Sequence, residues 1–289
     1  MTETCTSDVA IAGRAAPDTN HRSPFLRWAG GKRWLVPQIQ TLLGDETIAR
    51  YHEPFLGGGS VFFGIAPPVM SFLSDLNEEL INVYKEVRDQ PETLAELIRT
   101  YPNTSEAYYE VRASEPVTAI EQAARFIYLN HTSFNGIFRV NLKGKYNVPY
   151  GHRKYVKLPT RADLQAASRR LQSAELTSCS FEQTISQVQS GDVVFLDPPY
   201  TVAHNQNGFI KYNQHLFSFD DQRKLASVIE SIATAGAKFI LTNAAHSSVY
   251  ELFAPLGRTL TITRPSLIGG KNASRGRIEE LLFTNIGVK

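Results

Sequence analysis

The sequence predicts an α/β fold, in which a mostly parallel sheet is covered by helices on both faces. From about residue 50 onward, short apolar segments with the character of strands alternate with segments of helical periodicity. Strands that alternate with helices are typical of parallel sheets, because a helix usually returns the chain between two parallel strands. A second observation is the block at roughly residues 90–175, where helices are followed by an irregular basic stretch. This block predicts an inserted subdomain.

Each element is indicated by its own pattern. The strand candidates are short and either apolar or alternating, and they are Arg50–Phe55, Val69–Leu73, Val193–Leu196, Lys238–Thr242, Thr259–Thr263 and Ile278–Thr284. Helical periodicity covers Asn77–Arg88, most of residues 92–131, Asp220–Ala235 and His246–Phe253. We therefore expect a flexible tail at residues 1–22, a main domain from residues 23–89 and 176–289, and the inserted subdomain at residues 90–175.

Composition excludes several classes of protein. Two cysteines, Cys5 and Cys179, support neither a disulfide framework nor a cysteine metal site. No apolar run approaches the roughly 20 residues that a membrane span requires, and the N-terminus lacks the basic region of a secretory signal. No other metal-ligand spacing stands out. We expect a cytoplasmic, monomeric protein with no membrane partner and no metal.

The charges are distributed unevenly, although the formal net charge is only +2. No acidic residue lies between Glu121 and Asp163, and the basic residues of that interval are Arg125, Arg139, Lys143, Lys145, Arg153, Lys154, Lys157 and Arg161. Aromatic residues and asparagines are interleaved among them, a mixture that can bind phosphates and contact bases. A plain solvated face is the alternative. The mixture favours a polyanionic partner.

The sharpest motif is Asp197-Pro198-Pro199-Tyr200, which directly follows the apolar strand Val193–Leu196. Prolines fix φ and carry no amide hydrogen, so the motif leaves the Asp197 carboxylate and the Pro198 carbonyl as two rigid acceptors. An exocyclic amine has two donor hydrogens that match them, and Tyr200 offers a flat face for a base. The alternative is that the Asp-Pro-Pro sequence only ends the strand and has no catalytic role.

A glycine cluster, Glu53–Ser60, follows another strand candidate. Its glycines permit positive φ and a close approach of the backbone to a ligand. The dinucleotide-binding fingerprint is excluded, because its third glycine would fall on Phe62. Asp75 ends the next strand, where an acidic side chain can hold the hydroxyls of a ribose. A cap for the helix at Asn77 is the alternative role for Asp75.

Together and in this order, these segments resemble the Dam-like (alpha-class) DNA adenine-N6 methyltransferases of bacteria and phages, over roughly residues 23–286. Phe25–Lys32 is similar to that family's first cofactor segment. Asn135–Asn141 and Asn147–Gly151 look like its DNA-reading hairpin, which is the most specific part of the resemblance. The resemblance implies a Rossmann-like methyltransferase sheet with an inserted, mainly helical target-recognition subdomain at residues 90–175.

The resemblance also implies site roles. S-adenosylmethionine would be the methyl donor, bound by Trp28, Lys32, Glu53, Phe55, Gly57, Gly59, Asp75 and Asp197. Double-stranded DNA would be the partner, contacted by Arg27, Asn135, Ile137, Arg139, Pro149, Arg153 and Lys154. Close members often methylate adenine within GATC, and Arg139 matches an arginine that reads guanine there.

The expected chemistry is direct transfer to adenine N6. The target base leaves the duplex, stacks on Tyr200, and donates its N6 hydrogens to Asp197 and to the Pro198 carbonyl. Two other functions stay open from the residues alone. One is an RNA methyltransferase acting on an exocyclic amine, and the other is a non-catalytic DNA-binding relative.

Overall fold

The computed structural model describes residues 24–67, 69–141, 143–201, 217–265 and 277–287. The tail expected at residues 1–22 lies outside the described residues. Within those ranges, no helix is both long and apolar enough to cross a membrane.

In the described part of the chain, seven strands form one sheet. They are β1 (Tyr51–Glu53), β2 (Ser71–Asp75), β3 (Ala174–Ser178), β4 (Val193–Leu196), β5 (Lys238–Ala244), β6 (Arg258–Pro265) and β7 (Arg277–Thr284). Their order across the sheet is β3-β2-β1-β4-β5-β7-β6. The first five are parallel to one another, and β7 runs antiparallel to both β5 and β6. The predicted α/β class, with a mostly parallel sheet, is confirmed.

This strand order fixes where a ligand can bind. β1 lies between β2 and β4, so the chain winds toward one side of the sheet after β1 and toward the other side after β4. Ligands of open α/β sheets bind at such a switch point, beyond the carboxyl ends of the strands. The glycine-rich turn follows β1 and Asp197 follows β4, so both motifs lie at this point.

The described helices surround the sheet. The α-helices are α1 (Val36–Leu43), α2 (Ser60–Ile65), α3 (Glu78–Asp89), α4 (Pro91–Arg99), α5 (Ser105–Ala113), α6 (Ala119–Thr132), α7 (Arg161–Leu171), α8 (Phe181–Ile185), α9 (Phe219–Thr234) and α10 (Ser247–Phe253). Short 3₁₀ helices occupy Arg33–Leu35, Phe134–Gly136 and Ala254–Leu256.

Successive residues of the central strands point to opposite faces, and each face packs into its own hydrophobic cluster. Phe195 and Ile240 belong to the cluster that includes residues of α1–α4, α6 and α7. Leu196 and Leu241 belong to the cluster that includes residues of α8–α10. The helices therefore cover both faces, as the sequence predicts.

Caps define where several helices begin. The Asn77 side chain accepts the Leu80 amide at the start of α3. α6, α7 and α9 each begin with a capping box, in which a hydroxyl residue and an acidic residue three positions later exchange hydrogen bonds. Two amides of the first turn gain partners in this way, which stabilises each helix end by about 1 kcal/mol.

The basic segment after α6 turns back on itself. Ser133 and Val140 form isolated antiparallel bridges with Tyr150 and Tyr146, respectively. Tyr108 of α5 donates its hydroxyl hydrogen to the carbonyl of Val148, which anchors the returning arm to the helices. The irregular character predicted for the basic stretch after the helices is confirmed in its described residues. We call residues 133–151 the hairpin.

A buried ion cluster lies at the opposite edge of the sheet, before the amino ends of β1 and β4. Arg50 donates to both carboxylate oxygens of Asp192, at 3.0 and 2.7 Å. His52 Nε2 lies 2.9 Å from the same carboxylate, and the Gln189 amide donates to it at 2.8 Å. Burial alone would raise the pKa of Asp192, but these partners lower it below its ordinary value.

This cluster makes a stability prediction. Asp192→Ala should lower the free energy of unfolding by about 3–5 kcal/mol, because the Arg50 and His52 side chains lose their buried partner. Urea denaturation measures the effect. Asp89→Ala is the matched control, since the Asp89 side chain is 54% exposed and that of Asp192 only 1%, so the Arg88–Asp89 ion pair should contribute less than about 1 kcal/mol. Equal losses in the two variants would contradict the prediction.

Candidate active site

The glycine-rich turn after β1 is held by Asp75 at the end of β2. Gly57 and Gly59 both have positive φ, 48° and 64°, which a side chain would strain. One carboxylate oxygen of Asp75 accepts the Gly57 amide at 2.9 Å, and the other accepts the Asn77 amide at 3.0 Å. Asp75 therefore fixes the turn and approaches the helix start, while Asn77 serves as the cap.

Trp28 packs directly on this turn. A methyl group added to Gly57 would lie 2.7 Å from Trp28 Nε1, and one added to Gly58 would lie 2.7 Å from Trp28 Cβ. The Trp28 ring also stacks on Phe138 of the hairpin, with ring centroids 5.9 Å apart and planes inclined by 20°. Two glycines are thus required here by the close approach of an indole.

Glu53 ends β1 and is fully enclosed. The Tyr51 hydroxyl donates to Glu53 Oε2 at 2.7 Å. Burial raises the pKa of Glu53 from 4.5 to about 8, and the nearby Asp197 charge adds to this effect. Phe55, the next predicted cofactor residue, packs against both Phe181 and Phe217, at centroid distances of 5.4 and 5.7 Å.

Asp197 and Lys32 form a buried ion pair at the end of β4. Lys32 Nζ lies 2.9 Å from Asp197 Oδ1, and the side chains are 5% and 20% exposed. Thr242 of β5 donates its hydroxyl hydrogen to the same Oδ1 at 2.7 Å. Burial raises the pKa of Asp197, and Lys32 and Thr242 oppose that rise. Both described hydrogen bonds to this carboxylate therefore end on Oδ1.

The other members of the tetrapeptide are fixed as well. Pro198 is buried and Tyr200 is half-buried. The Tyr200 hydroxyl donates to Glu280 Oε2 at 2.9 Å, and Lys32 Nζ lies 4.7 Å from the centre of the Tyr200 ring. Thr201, the residue after Tyr200, is held by a short chain of hydrogen bonds, in which Asn243 of β5 donates to Gln222 and Gln222 donates to Thr201.

Sequence reasoning missed three residues of this site: Ser60, Thr242 and Glu280. The Ser60 hydroxyl oxygen accepts the Lys32 amide at 2.8 Å, which ties the N-terminal segment to α2. The other two come from β5 and β7, whose register no local motif reveals. Glu280 gives no local signal, because its strand also carries Arg277, Glu279 and Thr284.

The predicted DNA-contacting residues lie on and beside the hairpin. Arg27 is exposed, and its backbone amide and carbonyl both hydrogen-bond to the Asn130 side chain. Gly136 packs against the Arg27 side chain, since a methyl group there would lie 2.9 Å from Arg27 Nε. Arg27 is therefore placed beside the turn that carries Asn135, which is exposed and has a φ of 56°.

The remaining predicted contacts differ in their surroundings. Arg139 is exposed, and its Nε donates to Asn147 across the hairpin at 2.8 Å. Pro149 and Lys154 are exposed, and Ile137 is half-buried. Arg153 donates through Nη2 to the carbonyls of His131 and Ser133, so part of its guanidinium holds the hairpin in place.

The structure thus gathers the predicted residues into two groups. The first lies at the carboxyl edge of the sheet around Asp197, and the second lies on the hairpin. Trp28 joins them, because it contacts both the glycine-rich turn and Phe138.

This chain matches one known protein family and is similar to several known proteins. The family model described as D12 class N6 adenine-specific DNA methyltransferase matches residues 28–262. The chain is similar to the Type II methyltransferase M1.LlaDCHI of Lactococcus lactis subsp. cremoris, at 36% identity, with 91% of this chain and 95% of that protein covered. It is also similar to a DNA adenine methylase of Vibrio cholerae, at 31% identity, with 89% and 94% covered.

A third relative comes from an archaeon. The Type II methyltransferase M.MjaIII of Methanocaldococcus jannaschii is 34% identical, with 76% of this chain and 83% of that protein covered.

The enclosed Glu53 carboxyl predicts a pH dependence of stability. Between pH 4.5 and about 8 the folded protein keeps the proton that the unfolded chain releases. Stability should therefore fall as pH rises through this window, by at most about 1.4 kcal/mol per pH unit for one proton. Glu53→Gln removes this contribution but keeps an acceptor for Tyr51.

Urea denaturation of the two proteins between pH 5 and 8.5, without methyl donor, measures the difference. The variant should gain stability relative to the parent as pH rises. A difference that does not change with pH would contradict the assignment.

Proposed function

The chain belongs to the D12 class of N6 adenine-specific DNA methyltransferases, and from this premise we propose how its residues bind the methyl donor, hold the target adenine and read a sequence. The residues alone leave open an RNA methyltransferase and a non-catalytic DNA-binding relative. Membership of this family favours neither, because its members are enzymes that act on adenine in DNA. The observation that carries the proposal is the fixed Asp197 carboxylate at the switch point of the sheet.

The residues around the glycine-rich turn fit S-adenosylmethionine. This donor carries a cationic sulfonium, an ammonium and a ribose diol. The carboxyl groups of Glu53, Asp75 and Asp197 meet at this edge of the sheet, and burial raises the pKa of each. A cation is favourable beside such groups. Asp75 accepts backbone amides on both of its oxygens, and the lone pairs that remain on a carboxylate can accept a ribose hydroxyl.

We propose further that Trp28, Phe55 and the turn at Gly57–Gly59 form the walls of this donor site, with Lys32 closing it beside Asp197. When bound, the donor supplies an electrophilic methyl group. The protein's own part is to place an acceptor for the amine and to keep water away.

Catalysis is proposed to rest on Asp197, Pro198 and Tyr200. Lys32 and Thr242 occupy Oδ1 of Asp197, so we assign Oδ2 as the acceptor for one N6 hydrogen. The Pro198 carbonyl accepts the other hydrogen, and the Tyr200 ring stacks on the flipped base. Two rigid acceptors draw the N6 lone pair out of conjugation and stabilise the positive charge that develops on N6. Because the groups are already oriented, little reorganisation is needed.

Duplex DNA is proposed to lie against the hairpin, with Arg27, Asn135, Ile137 and Pro149 near the bases and Arg153 and Lys154 near the phosphates. Asn147 holds Arg139 through Nε, and the two Nη groups of Arg139 match the O6 and N7 acceptors of guanine. The likeness of this hairpin to that of Dam-like enzymes makes GATC the first sequence to test.

The catalytic assignment predicts a large loss for Asp197→Ala. The single-turnover rate at saturating methyl donor should fall by about 10²- to 10³-fold, because a preorganised acceptor is removed. Incorporation of tritiated methyl groups into unmethylated plasmid DNA measures this rate. Thermal melting shows whether the variant is folded, and Asp197→Asn tests the charge with little change of volume. A folded Asp197→Ala variant that keeps near-normal transfer would exclude this mechanism.

The readout assignment predicts a change of specificity for Arg139→Ala. The preference for GATC over duplexes with one substituted guanine should fall by about 5- to 150-fold, which corresponds to about 1–3 kcal/mol for one bidentate contact. The comparison uses kcat/KM on matched oligonucleotides. Lys154→Ala is the control, since a phosphate contact should weaken all sequences alike and reduce the salt dependence. An unchanged preference in Arg139→Ala would contradict the assignment.

A further inference from the structure

Glu280 is a buried carboxylate that reaches the active site from the far end of the chain. β7 runs antiparallel to β5, so its amino-terminal part arrives at the edge where the parallel strands end. Glu280 pairs with Ala244 in register, and residues two apart on a strand share a face. Thr242 and Glu280 therefore lie on one face of the sheet. Glu280 is 2% exposed, whereas its neighbour Glu279 is exposed.

The partners of Glu280 are the residues to which the reaction is assigned. Its Oε2 accepts the hydroxyl hydrogen of Tyr200 at 2.9 Å and lies 3.7 Å from Lys32 Nζ. The same ammonium lies 2.9 Å from Asp197 Oδ1 and 4.7 Å from the Tyr200 ring centre. One ammonium is thus shared by two carboxylates, and one of those carboxylates also holds the distal end of the aromatic ring.

We propose that Glu280 is a positioning residue for methyl transfer, which holds the hydroxyl end of the Tyr200 ring in place and shares the Lys32 ammonium with Asp197. This inference rests on the proposed roles of Asp197 and Tyr200. The hydrogen bond at the Tyr200 hydroxyl restrains displacement and tilting of the ring on which adenine stacks. The sharing of Lys32 leaves Asp197 less completely neutralised, and a less neutralised carboxylate is a stronger acceptor for the N6 hydrogens.

Removal of Glu280 should therefore act on the rate and spare donor binding. In Glu280→Ala, the single-turnover rate should fall by about 10- to 100-fold, the order expected for misplacement of a reacting group. The affinity for S-adenosylmethionine, measured by calorimetry, should change by less than about threefold, or roughly 0.6 kcal/mol. Glu279→Ala is the matched control on the same strand, and its rate should equal that of the parent.

The proposed role has two halves, which are positioning of the Tyr200 ring and sharing of the Lys32 charge, and two milder variants test them separately. Tyr200→Phe keeps the ring and removes the hydroxyl, and Glu280→Gln keeps an acceptor for Tyr200 and removes the charge. If Glu280 acts through the hydroxyl, the Glu280→Ala and Tyr200→Phe losses will not add in the double variant. Additive losses would overturn the ring-positioning half, and Tyr200→Phe tests it even if Glu280→Ala fails to fold.

A pH profile tests the charge half, because a purely structural residue would not move it. The charged and titratable groups around Asp197 are Lys32, Glu53, Tyr200 and Glu280. Lys32 lowers the pKa of Asp197, and the Glu280 charge raises it. In Glu280→Gln the acid limb of the single-turnover rate should therefore shift to lower pH. An acid limb that stays in place would overturn this half.

The failure of this inference is distinct from the failure of the proposed function. If Asp197→Ala loses transfer while Glu280→Ala and Glu280→Gln keep the parent rate and profile, Glu280 has only a packing role. If Asp197→Ala itself keeps transfer, the mechanism on which the inference rests is wrong.

Discussion

The ammonium of Lys32 is the point at which three distant parts of the chain meet. The segment before α1 supplies it, the end of β4 supplies Asp197, and the start of β7 supplies Glu280. Burial of an ammonium costs several kcal/mol unless carboxylates and further hydrogen bonds compensate for the lost water. The Gly30 carbonyl and two carboxylates provide that compensation here. The antiparallel direction of β7 is essential, because a parallel strand would carry its first residues to the opposite edge.

Stacked aromatic rings connect the glycine-rich turn beside the active site with the hairpin. Trp28 lies against the glycine-rich turn and stacks on Phe138, and Phe138 stacks on Phe126 of α6 with centroids 5.1 Å apart. Close-packed rings transmit a displacement because they leave little free volume. The position of the hairpin relative to the glycine-rich turn is therefore set by packing. Duplex DNA against the hairpin and a methyl donor at the turn would then keep a fixed separation.

Local patterns predicted most of the sheet but less of the site. The strand Val193–Leu196 has the predicted bounds, because four apolar residues run directly into a proline-containing turn. α7 was missed, although Thr160 and Asp163 form a capping box at its start. β3 was missed because its exposed residues alternate with buried ones over only five positions. Asp197 was found because its motif is contiguous. Thr242 and Glu280 could not be found in this way, because their contact depends on strand order and register.

The pKa values of buried carboxyl groups are shifted in opposite directions at the two edges of the sheet. At the amino edge, Arg50 and His52 surround Asp192 and lower its pKa, so that carboxylate is stable as an ion. At the carboxyl edge, burial raises the pKa of Asp75 and Asp197, so their ionised forms are held at a cost to folding stability. A cationic sulfonium beside these groups would relieve that cost. Binding of a cationic donor would then stabilise the folded protein, because it offsets the cost of burying these ionised carboxylates.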